Sequence, residues 1–386
     1  MNGFTSLPPL SLFVHIPWCV RKCPYCDFNS HEAKQELPEH NYIEALLRDL
    51  EGELPRVWGR TVYSIFIGGG TPSLFSPDGI DAIIKGVRAR LPVSAMAEIT
   101  LEANPGTVDQ DRFAGFRSAG VNRLSIGIQA FSPPLLQRIG RVHDGEQAKR
   151  AVVAAQEAGF DNINLDLMYC LPDQTIATAV DDMTTAIAFR PQHISFYQLT
   201  LEPNTAFAHT PPVLPDEDAI WNMQNECLEL LAANGYRQYE VSAFAAAGHA
   251  CRHNLNYWQF GDYLGIGAGA HGKISDASTQ SVTRYWKKRH PRDYMSSPVM
   301  EGSRRLTPDD LVIEFMMNAL RLTEGFNVEL LTERTGLPFK TLEKPLSVAL
   351  DGELITLIDD CIRPTIRGRR FLNNLVELFL ATKRCA

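Results

Sequence analysis

Three cysteines within eight residues are the densest chemistry in the chain: Cys19-Val-Arg-Lys-Cys23-Pro-Tyr-Cys26, directly after the apolar run Leu12–Ile16. Three thiolates on one loop can converge on one metal centre. A structural zinc site wants four ligands in a closed tetrahedron. No fourth cysteine lies nearby; His15 and His31 are the recruits at hand, and His15 falls inside the strand-like run. Three ligands leave one position open. In a cubane [4Fe–4S] cluster, that frees one iron to bind a small molecule. An accidental cluster of thiols is the bland alternative. The other five cysteines, Cys170, Cys227, Cys251, Cys361 and Cys385, are scattered and read as small buried groups or idle thiols.

Further polar residues stand at the ends of short β-branched runs. Gly68-Gly69-Gly70-Thr71-Pro72 closes one of them. Glycines let backbone approach a ligand closely, although a tight connection explains such a turn as well. Glu102-Ala-Asn104-Pro105 and Gly127-Ile-Gln129 close two more; Arg141 follows in Ile-Gly-Arg-Val-His143, and Asp166 lies in a fifth run. A carboxylate at such a place accepts hydrogen bonds from an ammonium or a ribose, and an arginine pairs with a carboxylate. Taken singly, each also reads as a structural ion pair.

The elements that must position these residues alternate. Strand patterns cover Leu12–Ile16, Val62–Ile67, Glu98–Glu102, Arg123–Ile128, Asn162–Leu167 and His193–Leu199. Amphipathic helical patterns cover Glu39–Leu54, Pro77–Leu91, Gln110–Ala119, Glu146–Ala158, Ile176–Ala188 and Glu217–Asn234. Repeated strand–helix units imply an α/β fold with parallel strands and right-handed crossovers. An open doubly wound sheet and a barrel both satisfy the pattern, and both place the site at the C-terminal ends of the strands. The rhythm breaks after Tyr236. We divide the chain into a barrel over 1–240, a connecting segment with a Gly-rich closure over 241–300, and a C-terminal domain over 301–386. That last part reads as three helices, a β-hairpin over Leu354–Pro364 and a helix over Phe371–Leu380, which resembles a winged-helix module. Fold alone does not make such a module a DNA binder. The basic runs Lys287-Lys288-Arg289 and Arg367–Arg370 read as solvated faces.

Composition narrows the function classes. The chain has 386 residues, is 45% apolar and carries a net charge of −8. That is globular, and too acidic for non-specific nucleic-acid binding; no nucleic-acid partner is expected. No apolar run approaches the ~18–20 residues that span a bilayer, and no signal-peptide pattern opens the chain. We expect a cytoplasmic protein.

The CxxxCxxC spacing after the first strand of a βα series resembles the radical S-adenosylmethionine (SAM) superfamily. The resemblance implies a partial (β/α)6 barrel and a [4Fe–4S] cluster on Cys19, Cys23 and Cys26. It also implies SAM chelated at the open iron, and an electron donor. In that superfamily the cluster's electron cleaves SAM to methionine and a 5′-deoxyadenosyl radical. Gly69, Gly70 and Thr71 resemble the motif that binds the SAM amino group. Glu102, Gln129, Arg141 and Asp166 resemble, in order and strand position, the SAM contacts of the oxygen-independent coproporphyrinogen III oxidase family. Tyr25 matches an aromatic near the adenine, and Phe13 on the first strand joins the cofactor-binding set.

That family has two branches: oxidative decarboxylases of haem synthesis, and HemW-type haem chaperones. Phe28 stands where the decarboxylases carry a further cysteine. The cluster motif begins already at Cys19, without their longer leading segment. His253-Asn254-Leu-Asn-Tyr257-Trp258 matches the HNxxYW motif of the chaperone branch. The resemblance covers nearly the whole chain; Cys170 departs from it, where a glycine is usual. It implies haem as a further ligand and delivery to acceptor haemoproteins, namely membrane-bound respiratory proteins. The chain would act as monomer or homodimer, and no residue receives a catalytic role. His253 is a candidate axial ligand, with Tyr257 and Trp258 packed on the macrocycle. The competing reading has His253 and Asn254 capping a turn while the aromatics fill the barrel floor. Coproporphyrinogen III oxidation is the alternative activity.

Overall fold

The computed structural model describes residues 4, 6–107 and 110–380; Cys385 lies outside the described residues. Strands β1 (Leu10–Ile16), β2 (Val62–Gly69), β3 (Val93–Ala103), β4 (Arg123–Gln129), β5 (Ile163–Tyr169) and β6 (His193–Gln198) run parallel, each beside the next in sequence order. All seven residues of β4 are buried. β4 alternates apolar and polar residues yet buries both sets, Leu124, Ile126 and Ile128 on one face and Arg123 and Ser125 on the other. Helices α1 (Glu39–Glu53), α2 (Pro77–Arg88), α3 (Gln110–Ser118), α4 (Gly145–Glu157), α5 (Ile176–Ala188) and α6 (Glu217–Ala233) supply the crossovers. Asp144 and Thr175 start α4 and α5 with reciprocal capping boxes. A doubly wound sheet reverses its strand order at a switch point. Here the order advances without reversal, which is barrel winding and brings every strand end to one mouth.

The 241–300 stretch is more than a connection. Its strand Asp262–Ile266 lies parallel to β1 on the side away from β2. Antiparallel strands His271–Asp276, Ser281–Lys287 and Met300–Arg305 then extend the sheet. At the other edge β6 pairs with Ala243–Ala245, which pairs with Arg237–Glu240, making twelve strands in all. The expectation of a solvated basic run fails at Lys287. Its side chain is 1% exposed and is held by Asp49 (2.5 Å) and Glu53 (2.6 Å) of α1.

The HNxxYW segment is a helix, Arg252–Trp258, rather than a capped turn. It seals the N-terminal end of the barrel, where its residues meet Ser64 of β2 and Glu98 of β3. The C-terminal domain has helices Pro308–Ala319, Glu329–Thr335 and Glu343–Asp351 with a three-stranded antiparallel sheet. The expected last helix is two short ones, Ile366–Arg370 and Leu372–Glu377. The domain's own core includes Phe315, Phe326, Leu331 and Ile362. Arg321 ties it to the barrel, bonding Glu240 at 2.9 Å and lying 4.3 Å from the Trp258 ring centroid. Among the described residues, no helix is long and apolar enough to cross a membrane.

Candidate functional site

The glycine turn after β2 is dictated by the chain it packs against. Gly70 donates its N–H to Ile16 O (2.8 Å) and Thr71 donates to Trp18 O (2.7 Å), so the turn carries the β1 pairing up to the cysteine loop. A Cβ on Gly70 would lie 2.5 Å from Trp18 O. At Gly69, φ is +116° and a Cβ would lie 2.4 Å from the His15 ring. No L side chain fits either place.

Above this turn opens a cavity of about 440 Å³. The three cysteines line it, and so do Tyr25, Gly69, Gly70, Thr71, Glu102, Gln129, Arg141 and Asp166. A hydrogen-bond chain crosses it from one cysteine to another. Thr71 Oγ1 donates to Cys19 Sγ (3.5 Å) and accepts from Asn104 Nδ2 (2.8 Å). Arg141 donates to Asn104 Oδ1 (2.6 Å), to Gly127 O (2.7 Å) and to Cys23 Sγ (3.6 Å). Two sulfurs thus already face donors, which favours thiolates. Burial pushes the Cys19 and Cys26 thiols up, a cost that a bound metal cluster would offset by taking the thiolate form. Among the described residues, no group of three or more His, Cys, Asp or Glu closes on a single ion. A cubane binds each thiolate at its own iron, so its ligands need not meet at one point. The donor set therefore fits a cluster.

The carboxylates sit deeper. Asp166 accepts from Ser125 Oγ (3.0 Å) and Asn164 Nδ2 (2.8 Å). Glu102 accepts the Gly69 N–H at 2.9 Å. Burial raises its pKa to about 7, with Asp166 adding to the rise and Gly69 opposing it. Gln129 takes φ +68° at the end of β4, and its Oε1 accepts from Tyr197 OH at 2.7 Å. Cys170 takes φ +64° just after β5, a left-handed position that favours glycine. Asn104, Ser125, Asn164 and Tyr197 were not singled out from the sequence. Strand-end position was the available signal for Asn104 and Tyr197; Ser125 and Asn164 lie inside strands and show themselves only through Asp166.

The remaining expected residues lie elsewhere. Phe13 faces a second cavity and lies 6.2 Å from Phe66 and 6.5 Å from His253, centroid to centroid. His253, Asn254, Tyr257 and Trp258 line neither cavity. The His253 ring is buried, with Nδ1 3.0 Å from Ser64 Oγ and Nε2 3.0 Å from Tyr257 OH. Burial, with Arg123 nearby, lowers its pKa to about 3. A ring so placed is neutral but has no open nitrogen, so the axial-ligand expectation meets an occupied histidine.

Comparison with known proteins fits this architecture. The radical SAM superfamily matches residues 13–186, and the HemN C-terminal domain matches residues 306–371. A protein of Escherichia coli named heme chaperone HemW is 50% identical over 376 residues, spanning 97% of this chain and 99% of its own. Its namesake in Haemophilus influenzae is 48% identical over 379 residues, with the same coverage. The one in Bacillus subtilis is 34% identical, spanning 96% of this chain and 99% of its own. Among solved structures, the coproporphyrinogen III oxidase HemN of Escherichia coli shares the fold, with a TM-score of 0.81 at 24% identity, covering 97% of this chain and 90% of that one. With half its residues identical to a HemW protein from end to end, the chain belongs to the HemW family of radical SAM proteins.

Proposed function

We propose that the chain is a haem chaperone, which holds haem and passes it to acceptor haemoproteins, membrane-bound respiratory proteins among them. The observation that carries this reading is end-to-end similarity to proteins named heme chaperone HemW. The test is anaerobic and side by side. Reconstituted protein is expected to bind haem stoichiometrically, pass it to an apo-acceptor, and leave coproporphyrinogen III unconverted. Robust conversion would overturn the reading in favour of the decarboxylase.

In this reading Cys19, Cys23 and Cys26 hold a [4Fe–4S] cluster, served by an electron donor in the cytoplasm. The cluster, when bound, supplies a reducing electron and an open iron. This chain's residues supply the SAM site. Glu102 accepts from the amino group, Asp166 holds ribose hydroxyls, and Arg141 pairs with the carboxylate while its side chain steadies Cys23. Tyr25 walls the adenine, and Gln129 is fixed by Tyr197.

Two tests follow from the carboxylates. Asp166→Asn should weaken SAM binding by roughly ten- to a hundredfold, the ~1.5–3 kcal/mol of a lost charge-assisted hydrogen bond, with iron content unchanged. SAM affinity should also rise from pH 6 to pH 8, because the ionised form of Glu102 is the better acceptor for the amino group's N–H and its pKa is about 7. Stability of the ligand-free chain moves the opposite way. A carboxyl raised on folding contributes most below its unfolded pKa, and that contribution is lost as pH rises through about 7. Glu102→Gln should flatten both slopes. Equilibrium binding across that range is the check, and a pH-independent affinity in the unsubstituted chain removes Glu102 from the site.

A further inference from the structure

A second cavity, of about 860 Å³, opens between the end of β1 and the antiparallel strands His271–Asp276 and Ser281–Lys287. Its size suits a large organic ligand; such sites span ~300–1,000 Å³. It adjoins the first: Asp27, Phe28, Gly69 and Glu102 line both. Its aromatic walls are Phe13, Phe28 and Trp286. Phe28 is 58% exposed, which is costly for a benzyl group with nothing to cover it.

One imidazole at this cavity is free. His271 sits opposite Trp286 in the strand register, their ring centroids 6.5 Å apart and the planes 31° from parallel. It is exposed, and no hydrogen bond engages its ring among the described residues. Partial burial and the nearby Arg284 and Arg289 hold its pKa below the ordinary histidine value, so the ring is neutral, as an iron ligand must be. The other histidine lining the cavity, His15, is spent: Nε2 lies 2.9 Å from Asn29 O and the ring packs on Gly69. Arg289 stands exposed in the cavity lining, and Asp27 and Glu301 are the acidic groups on its wall besides Glu102.

A neutral open imidazole in an aromatic-lined cavity, with a guanidinium in the lining, is the donor set for a planar metallo-macrocycle bearing carboxylates. We propose that haem is held here, packed against Phe28, with His271 as an axial iron ligand, Trp286 stacked beside that imidazole, and Arg289 paired with a propionate. The site rests on the haem-chaperone reading and deepens it. It places the cargo next to the cluster and SAM cavity, across the wall formed by Phe28 and Glu102, and away from the sealed floor that carries His253.

The test titrates haemin into the reconstituted full chain and follows the Soret band and the ferric haem signals by electron paramagnetic resonance. His271→Ala should shift the Soret band, remove the histidine-ligand signature and weaken haem by about tenfold or more, since changes one shell further out already cost ~10–100-fold in metal affinity. Cluster iron and SAM affinity should be unchanged, and added imidazole should restore the spectrum. Arg289→Ala should weaken haem severalfold without shifting the band. If the unsubstituted chain binds haem while His271→Ala keeps its spectrum and affinity, this site is wrong and the chaperone reading stands. If the unsubstituted chain binds no haem, the chaperone reading falls, and this site with it. If His253→Ala alone removes the ligand signature with cluster iron retained, the haem sits at the barrel floor and the proposal is overturned.

Discussion

A chain with Cys19, Cys23 and Cys26 all replaced by alanine is expected to leave anaerobic reconstitution without iron, against about four irons per chain for the unsubstituted protein. The charge-transfer absorbance should vanish with it. The three thiols share one loop, line one cavity, and stand on a base that Trp18 and the Gly70–Thr71 turn hold in place. Thr71 and Arg141 already aim donors at two of the sulfurs. Cys227 and Cys251 cannot substitute for them. Cys227 is fully buried in the core, its thiol 3.6 Å from Ala179 O, and Cys251 is fully buried beside Glu98. Cys227→Ala is therefore the control that keeps full iron. Thr71→Ala should retain iron but alter the cluster's reduction potential, because hydrogen bonds to the sulfurs tune it. Full iron in the triple variant would remove the cluster assignment, and with it the reason for an open iron beside Glu102 and Asp166.

The cavity was legible because parallel strands announce themselves. β1 to β6 are short β-branched segments with buried apolar residues, and polar or glycine residues gather at their C-terminal ends. The barrel then brings those stops to one mouth. That is why Glu102, Gln129 and Arg141 converge although about forty residues separate the first from the last. The strand order was not legible: a βα rhythm is common to both windings, and the unreversed order had to be seen. The 241–300 stretch was misread for a physical reason. Ser281–Lys287 mixes Ser, Thr, Arg and Lys with Val, Tyr and Trp in no regular alternation, so its sequence does not read as a strand. Lys287 looked most like surface of all, beside Lys288 and Arg289. Its partners, Asp49 and Glu53, lie more than two hundred residues away on α1. The HNxxYW helix posed the same difficulty in reverse. His253 and Tyr257 are four residues apart and hydrogen-bonded on one helix. Nothing in the motif alone shows that Ser64 takes the other ring nitrogen.

The second large effect is on stability, and it falls on Lys287. Its ammonium is 1% exposed and lies between two buried carboxylates, Asp49 at 2.5 Å and Glu53 at 2.6 Å. Asp49 also accepts from Tyr294 OH (2.7 Å) and Gly267 N (3.2 Å), while Glu53 keeps Arg56 at 3.2 Å. Lys287→Met removes the shared cation and leaves Asp49 buried with neutral donors only. Breaking such a buried cluster costs about 3–5 kcal/mol, and denaturant unfolding should show a loss of that size near neutral pH. The pH dependence fixes the cause. Burial already raises the Asp49 pKa to about 6, against the pull of Lys287; without the lysine it rises further. A carboxyl raised on folding stabilises below its unfolded pKa and loses that contribution as pH climbs through the folded value. The variant should therefore be penalised less at pH 5.5 than at pH 8. Lys287→Met combined with Asp49→Asn should recover part of the loss, because an amide costs less to bury than an unpaired carboxylate. A loss independent of pH, and not relieved by Asp49→Asn, would mean that the methylene stem rather than the charge anchors this strand. Lys287 is the neighbour of Trp286 and helps to line the second cavity. The ion cluster thus fixes to α1 the strand that presents Trp286 to the cavity and stands beside His271. A Lys287→Met chain that still folds should therefore bind haem more weakly while its cluster iron, held by the loop after β1, stays complete.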